Sequence, residues 1–156
     1  MKKIRIAILF LALQCPIVGN LFAQTQPDYI LEQLSRDAHH IIQSLGAFVG
    51  NERAESQSFD ITYMPAGNGV EGNMIINTAD YRCTFKLDAN EEICYEVTLD
   101  VRSQDFLNDF YKLFSVYPTD ALDGYRLMHF GNEHVRIVET PSRSTRYRSF
   151  KMALTE

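Results

Sequence analysis

The sequence predicts an α+β domain: a single antiparallel sheet of about five to six strands with two helices packed on one face, in the order α-βββ-α-βββ. Three observations lead there. Two stretches, beginning near Asp28 and Ser103, repeat their apolar residues at helical spacing. Six others alternate or run extended between turn residues rich in Gly, Pro and Asp. The composition, 46% hydrophobic and 22% charged over 156 residues, suits one globular domain. It excludes collagen-like, low-complexity and broadly disordered classes.

Residues 1–23 read as an address. Met1-Lys2-Lys3-Ile4-Arg5 is a short positive region, followed by the apolar run Ile6–Leu13 and a looser segment ending at Ala23. This is the layout of a secretory signal peptide, with cleavage expected after Ala23. The unbroken run is 8 residues, far short of the roughly 20 that span a bilayer. Cys15 follows Gln14, with Ala12 three places before it, which is a poor lipidation signal. A periplasmic or secreted domain, 24–156, is therefore expected, without a membrane span after cleavage. Losing Lys2, Lys3 and Arg5 makes the formal charge of −5 three units more negative. Such a chain is repelled by nucleic acid and by anionic membranes.

Asp28 is a good N-cap, and Ile30, Leu31, Leu34, Ala38, Ile41, Ile42, Leu45 and Val49 form the stripe of one helix ending near Gly46 or Gly50. Ser58–Met64 alternates as a half-buried strand, with Phe59, Ile61 and Tyr63 on one face. Pro65–Asn73 is a glycine-rich loop. Met74–Leu87 is one extended stretch, with Tyr81, Cys83, Phe85 and Leu87 facing inward. After a polar turn, Glu92–Val101 is a strand with Ile93, Tyr95, Val97, Leu99 and Val101 inward. A second helix starts near Ser103, carries Phe106, Leu107, Phe110, Leu113 and Phe114, and stops before Pro118. Asp120–Gly124 reads as an acidic turn. Tyr125–Phe130 and Glu133–Thr140 form a hairpin across Gly131-Asn132. Thr145–Leu154 is the final strand, with a short helix from Ser149 as the alternative.

Cys83 and Cys94 remain after cleavage, and an even count in an exported chain favours a disulfide between them. Strand parity argues against it. Cys94 lies between the inward Ile93 and Tyr95, so a bridge requires a bulge that shifts the alternation. The hairpin register sets His129 opposite His134, close enough for a transition-metal or pH-sensitive pair, or simply a solvated one. Arg143, Arg146, Arg148 and Lys151 form a basic strip in an acidic chain. They suit an anion, a protected strand edge, or pairing with neighbouring acids. No nucleophile elbow or phosphate loop is present, and no cofactor is called for.

The reading is an exported, non-catalytic binding module whose partner is an envelope protein or a small anionic ligand. Arg146 and Arg148, with Arg143 and Lys151, are the expected ligand-binding residues. The alternatives are a metal-dependent or hydrolytic enzyme using His129 and His134, and an assembly subunit of an envelope complex.

Overall fold

A computed structural model describes residues 26–44 and 60–155. The expectations for the leader, for Leu45 to Gly50 and for residues 51–59 lie outside the described residues. The elements are α1 (Gln26–Glu32), α2 (described over 38–44), β1 (Asp60–Met64), β2 (Gly72–Asn77), β3 (Tyr81–Leu87), β4 (Cys94–Val101), α3 (Gln104–Val116), β5 (Thr119–Leu122), β6 (Tyr125–Phe130), β7 (Glu133–Pro141) and β8 (Arg148–Leu154). Among the described residues the eight strands form one antiparallel sheet in the order β1-β2-β3-β4-β8-β7-β6-β5. The fold is mostly β with three short helices. It therefore corrects the expected α+β layout of five to six strands and two helices on one face.

Two strands were hidden in the sequence. The extended stretch 74–87 is broken at Thr78, whose hydroxyl accepts the N–H groups of Asp80 and Tyr81 while its own N–H bonds Tyr81 O. This tight turn separates β2 from β3. The expected acidic turn after Pro118 is strand β5, which pairs with β6 from Thr119↔Met128 to Leu122↔Tyr125. Its hairpin turn is Asp123-Gly124, with Gly124 at φ 78.

The first expected helix is also interrupted. Ser35 adopts φ 65, and Asp37 caps a new helix by accepting His40 N–H at 2.8 Å. The break allows this segment to pair with the start of β4. Ser35 N–H bonds Cys94 O, Cys94 N–H bonds Arg36 O, and Ala38 N–H bonds Glu92 O.

At that point the β3–β4 ladder shifts between Lys86↔Glu96 and Leu87↔Cys94. Tyr95 is the extra residue of the bulge, and Cys94 turns inward beside Leu87, contrary to its simple parity. Even so, the cysteines do not bridge. Cys83 opposes Leu99, four positions along β3 from Leu87. A disulfide needs Cα atoms within about 4.4–6.8 Å. Both are buried free thiols. Burial pushes the Cys83 thiol well up and that of Cys94 up to about 12.

The helix-facing side of the sheet carries the core. Phe150 on β8 packs on Phe110 of α3 at 4.3 Å between ring centroids, and Tyr81 on β3 packs on Phe106 at 4.6 Å. Ser103 caps α3 by accepting Phe106 N–H at 3.2 Å. Phe150→Ala removes a fully buried ring and is expected to cost about 3–5 kcal/mol in urea unfolding.

The Asp88 carboxylate accepts N–H groups from Glu91, Asn90 and Ile93, which hold it below its usual range. Its stabilisation is therefore present above the ordinary carboxylate pKa and is lost as pH falls through the lowered native value. Asp88→Asn is expected to lower the thermal midpoint at pH 6 and to flatten its fall between pH 5 and 2. In native protein, peptides bearing Cys83 and Cys94 are expected to stay unmodified by a thiol reagent. Both label fully on unfolding without reductant, as intact mass reads directly.

Candidate functional site

The sequence pointed to three sets of residues, and the structure places them apart. The hairpin register is as expected, with His129↔His134 and Phe130↔Glu133 opposed across β6 and β7. Gly131, at φ 62, opens the turn in a conformation that favours glycine. The two imidazoles lie on the sheet face away from the core, with ring centroids 4.6 Å apart and planes at 76°. Asp120, on β5, places Oδ2 3.1 Å from His129 Nε2. Sequence reasoning missed Asp120 because it treated β5 as a turn. The available signal was Asp123-Gly124, a hairpin dipeptide next to an alternating segment. Among the described residues, no three His, Cys, Asp or Glu side chains converge as a metal cage.

The basic strip does not assemble as one surface. β8 begins at Arg148 rather than Thr145, because Ser142 and Thr145 organise the preceding residues into a loop. Ser142 Oγ accepts Thr145 N–H at 3.2 Å, and Thr145 Oγ1 donates to Val101 O at 2.7 Å. Arg143 and Arg146 lie in that loop, and Arg146 stacks on Tyr147 with its guanidinium carbon 5.1 Å from the ring centroid. Arg148 faces the helix side and pairs with Glu139 at 3.2 Å, where Glu139 also accepts Tyr111 OH at 2.7 Å. Lys151 faces the other side and pairs with Glu96 at 2.6 Å. Lys86 reaches the same carboxylate at 2.9 Å, so Glu96 links β3, β4 and β8. Desolvation opposes its charge, but hydrogen bonds from Lys151 and Lys86 outweigh it and hold the carboxyl below its usual range. Of the three readings of the strip, pairing with neighbouring acids describes Arg148 and Lys151.

The chain also has a shallow cleft of about 300 Å³ between the α1–α2 turn and the β6–β7 hairpin. Leu31, Leu34 and Phe130 supply its apolar wall, with Arg36 and Glu133 among its polar residues. Ser35 Oγ donates to Glu133 Oε1 at 3.5 Å across it.

Among the described elements, β1 is the most exposed apolar one. All five of its residues are exposed, which corrects the expected half-buried strand. Ile61, Tyr63 and Met64 are 41%, 36% and 45% exposed. β2 pairs with one side of β1, and among the described residues no strand pairs with the other. The strand is nevertheless held in place. Glu92 Oε1 accepts both Tyr63 OH at 2.8 Å and Ala66 N–H at 2.7 Å. The following loop closes tightly on Gly72, where a Cβ would meet Ala66 N at 2.7 Å.

With this geometry in view, comparison with known proteins finds no matching family model, curated protein or solved structure.

Proposed function

We propose that the chain is an exported, non-catalytic binding module that docks an extended segment of another envelope protein along β1. The observation that carries this reading is the edge of β1 that no described strand pairs, where Ile61, Tyr63 and Met64 stand exposed. Unpaired N–H and C=O groups on such an edge form a template for an added strand. Natural sheets usually protect such edges with Lys, Pro or a bulge, and Asp60–Met64 contains no Lys or Pro. The Glu92 anchor supports a rigid, preorganised edge, which reduces the entropy lost on binding.

The partner segment is apolar at alternate positions and carries Lys or Arg beside them, because the exported chain is strongly acidic. Export itself rests on the Lys2–Arg5 and Ile6–Leu13 pattern of the leader.

The test places a photo-crosslinking residue at Thr62, and separately at Leu122 on the opposite edge, in the chain expressed in its own cells. A single heterologous adduct is expected from position 62 and not from 122. Ile61→Lys with Met64→Lys is expected to reduce it at least tenfold while leaving the thermal midpoint nearly unchanged. Equal adducts from both edges, or an adduct indifferent to the lysines, overturns the reading.

A further inference from the structure

We infer that His129 and His134 form a two-nitrogen chelate for a late first-row divalent transition metal, with Asp120 orienting His129. The inference is independent of the docking edge on β1.

Directly opposed residues on antiparallel strands present their side chains to the same face within about 5.5 Å at Cβ. Here both are imidazoles, their ring centroids are 4.6 Å apart, and they lie on the solvent face of the sheet. The His129 side chain is 37% exposed and His134 is exposed, so a hydrated ion reaches them and the rings have room to turn.

The backbone beneath them is constrained. Gly131-Asn132 closes the hairpin, His129 N–H bonds Pro118 O at 2.9 Å, and His134 O accepts both the N–H and the hydroxyl of Thr155. The chelating positions are therefore set by the sheet rather than by a loop.

Asp120 gives the pair a chemical direction. An ionised carboxylate only accepts hydrogen bonds, so His129 Nε2 is the protonated nitrogen facing Asp120 Oδ2 at 3.1 Å. In the neutral ring this leaves the Nδ1 lone pair for a metal. A carboxylate behind a ligating histidine is the usual outer partner in metal sites. This role does not require Asp120 to join the coordination sphere, which agrees with the absence of a three-group cage among the described residues.

The neighbouring cation, Arg136, is drawn aside by stacking on Tyr125, with its guanidinium carbon 4.6 Å from the ring centroid. Glu133 projects to the opposite side of the hairpin and accepts from Ser35. Neutral nitrogen donors favour Cu²⁺, Ni²⁺ and Zn²⁺ over Mg²⁺ or Ca²⁺, and the general order of affinity places Cu²⁺ first. With two protein ligands, water fills the remaining positions and the metal stays open to exchange.

The test titrates chelator-treated full chain with Cu²⁺ and Ni²⁺ by calorimetry, and follows Cu²⁺ broadening of the histidine ring protons by NMR. One equivalent is expected, with the rings of His129 and His134 broadened first. His129→Ala and His134→Ala are each expected to weaken binding at least 30-fold. Asp120→Asn is expected to weaken it about tenfold. The His39→Ala, His40→Ala double variant is expected to retain the wild-type affinity. All these side chains are on the surface, so thermal midpoints confirm folding in each variant. Wild-type affinity in His129→Ala, loss of binding in the His39/His40 variant, or no binding at millimolar metal overturns the inference.

Discussion

The carboxylate of Asp88 holds three backbone N–H groups of the turn that follows it, and much of the architecture depends on that turn. With Asn90, Glu91 and Ile93 held in place, Glu92 adopts φ 55, an uncommon conformation for a residue with a side chain. The chain then enters β4 with its alternation shifted, which turns Cys94 into the core. The backbone at 92–94 pairs with Ser35, Arg36 and Ala38, so the first helix breaks where it does. The Glu92 side chain reaches the other way to Tyr63 and Ala66 and holds the β1–β2 hairpin. One polar turn thus joins the N-terminal helices, the β3–β4 hairpin and the sheet edge.

The two faces of the sheet follow different rules. The helix-facing side is apolar and is filled by aromatic contacts between α3 and the central strands. The other side is a polar ladder in which long cationic side chains find acids across strands, as Lys86 and Lys151 do around Glu96. Pairing of this kind contributes modestly to stability and organises the face more than it attracts ligands. Distinctive chemistry is left at the margins, at the β1 edge and at the tip of the β6–β7 hairpin.

Much of this was legible from residue order. The alternation from Tyr81 to Leu87, the stripe of α3 with Ser103 as its cap and Pro118 beyond it, and the His129↔His134 register all depend on local periodicity or turn chemistry. The misreadings arose where a short-range rule met a longer-range one. The apolar stripe from Ile30 to Ile41 persists through the helix break, so periodicity alone did not reveal that backbone pairing with β4 interrupts it. Parity placed Cys94 outward because a bulge is a property of two strands together. The basic strip looked continuous because its partners, Glu139 and Glu96, come from other strands. Asp37 and Asp123-Gly124 are readable signals of a second cap and an extra hairpin, obscured by the stronger apolar patterns around them.

The position of β8 has a consequence for the order in which the molecule is built. Strands β1 to β4 form one ribbon and β5 to β7 another, and each consists of neighbours in sequence. Among the described residues, the two ribbons meet within the sheet at β8, which lies between β4 and β7. Until β8 is made, the edges of β4 and β7 that it pairs with lack that partner, and the core ring Phe150 is missing. Completion of the sheet therefore awaits β8. A chain organised this way joins its two halves by seating β8 between edges that are already made.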